Sequence, residues 1–298
     1  MSLELLPVQS RKSKSKKGQR TVAIVESADA EPAGILRISE EDNGEKLIEL
    51  PPSLVYSITP ETRPQMVDNV FIVGGQGSGK STWAGNYTRH FINAFQPEPE
   101  YITIISSDDY EDSAYKFPHR HIKIDDEMVA NPITLDDLTN PDKNSRSLVI
   151  FDDIEGISNP KKQKAVDALT EAVLTMGRKR HLHCLFISHR SANGKMTKNI
   201  LNELTAVVWF PKLGGGNRNL TYMLTKHLSV PEGMREALKG NDWGRWICLI
   251  TKVPQVLISE RRSAIYDADE VESAIKKRTI IDKKRSQKEA ESMLRDEY

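Results

Sequence analysis

The stretch Val70-Phe-Ile-Val-Gly-Gly-Gln-Gly-Ser-Gly-Lys-Ser-Thr82 decides the predicted fold, because it holds a complete P-loop motif between a strand and a helix. The apolar run at its start is typical of a short buried strand. After it, Trp83, Tyr87, Phe91 and Phe95 recur every four residues, which predicts one face of a helix. A glycine-rich loop between such elements presents backbone N–H groups and the positive end of a helix to an anion. The sequence therefore predicts a site for a nucleoside triphosphate.

The motif also predicts what its polar residues bind. Lys80 is expected to reach the β- and γ-phosphates, and the Ser81 hydroxyl is expected to coordinate Mg²⁺. ATP and Mg²⁺ are therefore the expected cofactors. The alternative is a flexible glycine turn with a chance Lys-Ser pair, and the strand and helix patterns on either side argue against it. The predicted nucleotide-binding residues are Gly74, Gly75, Gln76, Gly77, Ser78, Gly79, Lys80, Ser81 and Thr82.

A second motif, Leu148-Val-Ile-Phe-Asp-Asp153, ends an apolar strand pattern in two carboxylates. P-loop enzymes support Mg²⁺ with an acid in this position, so Asp152 is the predicted metal-supporting acid. The neighbouring Asp153, or the longer Glu155, is the predicted general base that polarises the attacking water. The sequence does not choose between these two residues. A solvated turn or a helix cap is the ordinary alternative for an acid pair at a strand end.

A third motif is the run 177–190, Gly-Arg-Lys-Arg-His-Leu-His-Cys-Leu-Phe-Ile-Ser-His-Arg. Its apolar centre predicts a strand that ends in polar residues where the γ-phosphate should lie. Ser188 or His189 is therefore a candidate to contact the γ-phosphate or the attacking water. A structural turn would explain the same Ser-His pair equally well.

Strand and helix patterns alternate along most of the chain, which predicts an α/β fold with a mostly parallel central sheet. A full strand between the P-loop helix and the acid-bearing strand is expected of P-loop ATPases of the additional-strand, catalytic-acid type. A hairpin is predicted to close the sheet. The predicted strands are 69–73, 101–106, 147–151, 183–188 and 206–210, the hairpin is 246–251 with 255–260, and the predicted helices are 80–95, 160–176, 196–204 and 219–227.

Composition divides the 298 residues into four parts. Residues 1–30 are predicted to be a disordered basic tail, because residues 11–20 carry six positive charges and no acid. Such a tail either contacts polyanions, directs nuclear import or is simply solvated. Residues 31–66 are predicted to form a small N-terminal β element, and 67–265 the P-loop ATPase domain. Residues 266–298 are predicted to be a charged C-terminal helix or tail.

Bulk properties exclude several classes of protein. Lysine plus arginine equals aspartate plus glutamate at 42 each, so the net charge does not indicate a nucleic-acid partner. The two cysteines, Cys184 and Cys248, lie in apolar strand patterns, which predicts buried thiols in a reducing compartment. No apolar run is long enough to span a membrane, and the N-terminus lacks the apolar core of a signal peptide. A soluble protein that is not secreted is expected.

The three motifs, in this order, resemble those of the HerA–FtsK superfamily of DNA-pumping ATPases, and within it the poxvirus-type packaging ATPases of large DNA viruses. The resemblance covers residues 50–260. It implies a homo-oligomeric ring, usually a hexamer, that uses ATP hydrolysis to thread double-stranded DNA into a preformed capsid. The implied partners are the DNA backbone and a capsid or portal-vertex protein. The implied location is the virion, or the cytoplasm, viral factory or nucleus of a host cell.

The resemblance also implies residue roles. Lys80 and Ser81 would bind phosphate and Mg²⁺, and Asp152 would be the Walker B acid. The position of Asp153 is commonly a catalytic Glu in this superfamily, so the shorter Asp leaves the choice between Asp153 and Glu155 open. The sensor at the strand end is most often Gln, and this chain has His189 there.

A DNA motor also requires basic residues that contact the γ-phosphate of a neighbouring subunit and the phosphates of DNA. Three arginines stand where a ring neighbour could supply positive charge to the γ-phosphate, and three loop cations could contact DNA phosphates. Each has an ordinary alternative as a surface residue. The arginine candidates are Arg178, Arg180 and Arg190, and the loop candidates are Lys195, Lys198 and Arg218.

Two other functions compete with a DNA motor. A P-loop kinase for a nucleoside or nucleotide would need an arginine-rich lid and an acceptor pocket after the P-loop helix, and neither is evident. A nucleotide-dependent switch or assembly scaffold would bind ATP with little turnover. The acid pair after the strand favours hydrolysis but does not exclude slow switching.

Overall fold

The structure is a computed structural model of the chain. It describes residues 1–8, 18–41, 44–107, 112–142, 144–154, 157–189, 200–211, 221–228, 243–252 and 254–266, together with positions 230, 232, 235 and 238. Several sequence candidates therefore lie outside the described residues. They are Glu155, Arg190, Lys195, Lys198, Arg218 and the charged C-terminal segment 267–298.

The described elements alternate between strands and helices over the centre of the chain. The strands are β1 Ser2–Leu6, β2 Gln19–Ser27, β3 Pro32–Ser39, β4 Leu47–Glu49, β5 Leu54–Ile58, β6 Asn69–Val73, β7 Ile102–Ser106, β8 Arg120–Lys123, β9 Ser147–Asp152, β10 Leu182–Ser188, β11 Ala206–Trp209, β12 Ile247–Ile250, β13 Val256–Ser259 and β14 Arg262–Ile265. The helices are α1 Lys80–Phe95, α2 Asp126–Ala130, α3 Leu135–Leu138 and α4 Pro160–Met176, with short 3-10 turns at Pro99–Tyr101 and Gly177–Arg180 and a π-helical turn at Met223–His227.

Within the described residues, ten strands form one sheet in the order β4-β14-β13-β12-β11-β6-β10-β9-β7-β8. From β11 to β8 every neighbouring pair is parallel. From β11 to β4 every pair is antiparallel, and β12 with β13 forms the predicted hairpin. The prediction of an α/β fold with a large, mostly parallel sheet is confirmed.

The order of the parallel strands places the third motif beside the first. β10 lies between β6, which leads into the P-loop, and β9, which carries the acid pair. β7, the strand that the sequence places between those motifs, lies on the far side of β9. Because parallel strands end at the same edge, the three motifs meet at one edge of the sheet.

Side chains of the parallel strands alternate between two cores, as strand geometry requires. On one face, Val70 and Ile72 pack with the aromatic side of α1 and with the small N-terminal sheet. On the other face, Phe71 and Val73 pack with α4 and α2. Burial on both faces explains why these strands read as continuous apolar runs.

A small antiparallel sheet, in the order β1-β3-β2-β5, precedes the large one. Its strands β1 and β2 fall within residues 1–30, which the sequence predicted to be disordered. The prediction was wrong for these two segments, which form strands. The apolar run Val22–Val25 inside β2 is buried against α1 and β5, and this burial outweighs the neighbouring charge. The basic run at residues 9–17 lies outside the described residues.

The strand β4 also departs from the expected division. It lies within the predicted N-terminal β element, 31–66, yet it pairs with β14 at the edge of the large sheet. Its Ile48 packs against one core and its Leu47 against the other, which is the environment of a strand in the large sheet.

The predicted helices at 80–95 and 160–176 have the observed bounds of α1 and α4. Asn159 caps α4 by accepting from the N–H of Lys161, and Pro160 begins its first turn. For the predicted helix 196–204, the described part is helical at 200–202, and the predicted helix 219–227 contains the π-helical turn.

Both cysteines are buried, free thiols. No helix in the described part of the chain combines the length and the apolar character that a membrane span needs.

Candidate nucleotide site

The P-loop lies at the edge where the parallel strands end. It follows β6, and its first residue is tied to the neighbouring strand, because the Gly74 N–H donates to the Ser188 carbonyl at 3.2 Å. Asp152, the last residue of β9, and His189, which follows the last residue of β10, lie at the same edge. The sheet therefore gathers all three sequence motifs around one loop.

Close packing explains the glycine at the start of the loop. A Cβ on Gly74 would lie 2.6 Å from Ser78 Oγ and 2.9 Å from the ring of Phe210. The loop is packed so closely that no side chain would fit at position 74, and the ring of Phe210 packs against this part of the loop. At the end of the loop, Gly79 has a φ of 101°, a left-handed conformation that favours glycine.

The loop runs directly into α1, which begins at Lys80. Gly79 caps the helix without a side-chain hydrogen bond, and the first turn contains no acid. The first N–H groups of a helix have no partner within the helix itself, and the helix dipole is positive at this end. The local backbone is therefore suited to phosphate groups.

Lys80 is buried at the centre of the site. Its ammonium donates to the Gly75 carbonyl at 3.3 Å and lies 3.2 Å from His189 Nδ1. His189 Nε2 in turn lies 2.6 Å from Asp153 Oδ2. An ammonium can only donate, so Nδ1 must accept and Nε2 must carry the proton that Asp153 accepts. The three side chains form a continuous chain from the P-loop to the acid pair.

The backbone of Asp153 turns its side chain toward His189. Its φ is 47°, in the left-handed region that Asp tolerates better than most residues. Its N–H donates to the Ile187 carbonyl of β10 at 3.2 Å, which fixes the turn. Asp153 Oδ2 contacts His189, while its buried Oδ1 has no hydrogen-bond partner in the described part of the chain.

Asp152 points to a different set of groups. The Tyr115 hydroxyl donates to Asp152 Oδ2 at 2.6 Å, and the same hydroxyl also interacts with the Ser81 side chain. Burial raises the pKa of Asp152 to about 6, with a further upward contribution from Asp153, while the Tyr115 hydrogen bond and Lys80 act in the opposite direction. The Tyr115 hydroxyl therefore lies near both residues predicted to hold Mg²⁺.

The donor chemistry of this pair fits Mg²⁺. A serine hydroxyl and one carboxylate are hard oxygen ligands, and Mg²⁺ in nucleotide enzymes is completed by water and substrate phosphates. No cluster of three or more His, Cys, Asp or Glu residues suited to a metal occurs among the described residues. A Ser81 and Asp152 site is therefore consistent with Mg²⁺ bound together with a nucleotide.

Two of the three arginine candidates, Arg178 and Arg180, are described by the structure, and neither lies at this edge. Arg178 and Arg180 lie in the turn before β10, at the opposite edge of the sheet, and both are exposed. Arg180 pairs with Asp136 at 2.8 Å. These two arginines do not reach the P-loop of their own chain, so only a role toward a neighbouring subunit stays open for them.

Tyr115 is a site residue that the motifs do not indicate. It lies in the loop between β7 and β8, is buried, and stacks edge-on with Phe117. No spacing rule connects it to the P-loop or to the acid pair. Only the fold brings its hydroxyl to Asp152.

The geometry of the loop, α1 and the acid-bearing strand decides the class of fold. The fold is that of a P-loop NTPase. Its sheet places one strand, β10, between the P-loop strand and the acid-bearing strand. This P-loop NTPase carries a separate four-stranded sheet at its N-terminus.

Comparison with known proteins gives one curated relative and a set of structural neighbours. No protein-family model matches the chain. Uncharacterized protein V3 of the Sputnik virophage is 27% identical over 195 residues, which cover 65% of this chain and 74% of that protein.

The structural neighbours include a viral packaging enzyme and a conjugation protein. The genome packaging NTPase B204 of Sulfolobus turreted icosahedral virus 2, solved with ATPγS, is 14% identical with a TM-score of 0.44, over 66% of this chain and 98% of that chain. The pCW3 conjugation coupling protein TcpA, also solved with ATPγS, is 13% identical with a TM-score of 0.44, over 92% of this chain and 89% of that chain.

Proposed function

We propose that this chain is an ATPase that uses ATP hydrolysis to translocate double-stranded DNA, and that its role is to package a viral genome into a capsid. The observation that carries the ATPase part is the continuous contact from Lys80 through His189 to Asp153 at the P-loop. The DNA part rests on the order of the three motifs, which resembles that of DNA-pumping ATPases.

The contacts support hydrolysis rather than binding alone. A hydrolytic site needs phosphate-binding groups, metal support and a base for the attacking water. Lys80 and the P-loop supply the first, and Ser81 with Asp152 would supply the second by holding Mg²⁺, which neutralises phosphate charge when bound. Asp153 is half-exposed and is joined to Lys80 through His189, so it is the proposed proton acceptor for the attacking water.

His189 has two roles in this proposal. It orients Asp153 through a 2.6 Å hydrogen bond, and it contacts the Lys80 ammonium on its other nitrogen. If Lys80 moves when it binds the γ-phosphate, the His189 imidazole would move with it and shift Asp153, the proposed base. This arrangement supports His189, rather than Ser188, as the proposed sensor.

The base can be identified with two matched substitutions. Asp153→Asn should leave ATP binding intact and lower hydrolysis by about a hundredfold or more, because it removes the proton acceptor. Glu155→Gln should have a much smaller effect if the base is the residue that His189 orients. Steady-state hydrolysis and equilibrium binding of ATP, measured on both variants, provide the comparison.

The reverse pattern would assign the base to Glu155. If both variants hydrolyse ATP at the wild-type rate, neither residue is the base. Asp126→Asn is the control, because Asp126 is exposed on the surface at α2 and has no contact with the P-loop. That variant should match the wild type in both measurements.

Translocation is tested by measuring ATP hydrolysis with and without long double-stranded DNA. Stimulation by duplex of any sequence is expected, because a motor that threads DNA contacts phosphates rather than bases. The stimulation should also weaken as the salt concentration rises. A duplex of unrelated sequence and a single strand of equal length are the controls.

The remaining hypotheses make different predictions for the same assay. A nucleotide-dependent switch would hydrolyse ATP slowly and ignore DNA. A kinase would transfer phosphate to a nucleoside or nucleotide when a panel of acceptors is supplied. Hydrolysis that does not respond to duplex DNA would contradict the proposed motor.

A hexameric ring and a capsid or portal-vertex partner belong to the same proposal. A ring would allow Arg178 or Arg180, which do not reach their own P-loop, to act on the site of a neighbouring subunit. Measuring the mass of the purified chain with Mg²⁺ and an ATP analogue tests the proposed ring. A monomer under all conditions would contradict the ring.

A further inference from the structure

A guanidinium lies against the P-loop on the side away from the acid pair. Arg245 Nη2 is 3.3 Å, and its Cζ 4.0 Å, from the position that a Cβ on Gly79 would occupy. Gly79 is the left-handed residue that leads into α1. The motifs give Arg245 no role, because it follows the P-loop by more than 160 residues of sequence.

The backbone holds Arg245 in this place. The preceding residue, Gly244, has a φ of 88°, and a Cβ there would come within 2.5 Å of Glu260 Oε2. The Arg245 N–H donates to the same carboxylate oxygen at 2.7 Å. The left-handed backbone of Gly244 and the hydrogen bond to Glu260, which follows β13, therefore fix the backbone of Arg245 just before β12.

The residue that follows is anchored to the P-loop helix. Trp246 is buried and packs edge-on against Trp83 of α1, with ring centroids 6.2 Å apart. Aromatic pairs in this geometry stabilise beyond the area that they bury. Arg245 thus lies between two fixed neighbours, and its position relative to α1 is set by packing.

The Arg245 guanidinium is not engaged by an acid of the described residues. Its side chain is exposed, and no described carboxylate forms an ion pair with its guanidinium. The Glu260 carboxylate accepts from the Arg245 backbone N–H instead. An arginine held beside a phosphate-binding loop presents several N–H donors in a planar fork that suits phosphate.

Sheet order shows which part of a nucleotide Arg245 would meet. The groups for the γ-phosphate lie on β10 and β9, to one side of β6. β12, which Arg245 precedes, lies beyond β11 on the other side of β6. Arg245 is therefore on the side of the P-loop away from the groups proposed to contact the γ-phosphate, which is the phosphate that hydrolysis removes.

We propose that Arg245 binds the α-phosphate of the nucleotide held by the P-loop of the same chain. This inference rests on the proposed ATPase site and adds a binding residue to it. Arg245 would contribute equally to ATP and ADP, since both carry the α-phosphate. It would contribute little to the chemical step, since the contact is the same in the ground state and the transition state.

The test is calorimetric titration of the full chain with Mg²⁺ and either ADP or the non-hydrolysable ATP analogue AMPPCP. In Arg245→Gln, the Kd of both ligands should rise by about ten- to a hundredfold, as expected for loss of a charged hydrogen bond. At saturating ATP, kcat should change by less than about threefold. Arg245→Lys, which keeps the charge but loses the fork, should fall between the wild type and Arg245→Gln.

Arg261→Gln is the matched control, because Arg261 is exposed on the turn between β13 and β14. It should bind both ligands as the wild type does. Equal affinity of Arg245→Gln and wild type for both ligands would overturn the proposal. Weakened AMPPCP binding with unchanged ADP binding would also overturn it, because it would place the contact at the γ-phosphate. A wild-type chain that binds neither ligand would overturn the proposed nucleotide site itself.

Discussion

ATP hydrolysis by Lys80→Ala protein should fall at least about a hundredfold below that of the wild-type chain, as expected for removal of a charged group from a transition state. Lys80 is buried among the P-loop carbonyl of Gly75, His189 and the start of α1. Its ammonium is the proposed phosphate-binding cation, and its loss would also remove the partner of His189. Both effects lower the rate of the same step.

The measurement is steady-state release of phosphate at saturating ATP, with Lys179→Ala as the control. Lys179 is exposed in the turn after α4, at the edge of the sheet opposite to the P-loop. That variant should hydrolyse ATP normally. A Lys80→Ala protein that melts at the wild-type temperature and still hydrolyses ATP at the wild-type rate would contradict the site described above.

The largest effect on stability should come from Asp68, at the opposite edge of the sheet. Asp68→Asn should lower the free energy of unfolding by about 3 kcal/mol or more, as expected when a buried charge network loses one member. Asp68 Oδ2 accepts from the Glu61 N–H at 2.7 Å and from the Tyr87 hydroxyl at 2.8 Å, and Lys252 donates to Oδ1 at 3.3 Å. These partners donate to it, so an amide NH₂ in place of either oxygen would face another donor.

The pH dependence of stability follows from the same contacts. Burial alone would raise the pKa of Asp68, but the contacts with His183 and Lys252 outweigh it and hold that pKa well below its ordinary range. Unfolding returns the carboxyl to a pKa of about 3.9. The stabilisation is therefore complete above about pH 4 and is lost as the pH falls below it. Asp68→Asn should show a smaller loss in acid than the wild type.

Urea unfolding, followed by fluorescence at several pH values, measures both effects. Asp136→Asn is the matched control, because the pair of Asp136 with Arg180 is exposed. An exposed ion pair contributes at most about 1 kcal/mol. If Asp68→Asn lowers the free energy of unfolding no more than Asp136→Asn does, the buried hydrogen bonds and ion pairs of Asp68 do not stabilise the fold.

The P-loop and its flanking elements could be predicted because the information is local. A glycine-rich loop between an apolar strand and an amphipathic helix has one common conformation, so Gly74 to Ser81 and the bounds of α1 follow from neighbours in sequence. The end of an apolar strand likewise marks Asp152. The same local reasoning failed for β1 and β2, whose apolar side chains Leu3, Val22 and Val25 are buried in the core that also contains residues of α1.

Long-range contacts could not be predicted in this way. His189 lies 36 residues from Asp153 and 109 from Lys80, and the three meet because β10 inserts between β6 and β9. Strand order in a sheet is set by packing of whole elements, which a local pattern does not encode.

The sequence by itself determined that this chain has a P-loop, which lysine and hydroxyl belong to it, and which acid ends the neighbouring strand. Only the tertiary structure decided that His189 links that loop to Asp153, that Tyr115 reaches Asp152, and that Arg245 lies beside Gly79. The physical reason is the same in each case. A motif is held by bonds between neighbouring residues, whereas these contacts depend on which strands and loops the packed cores bring together.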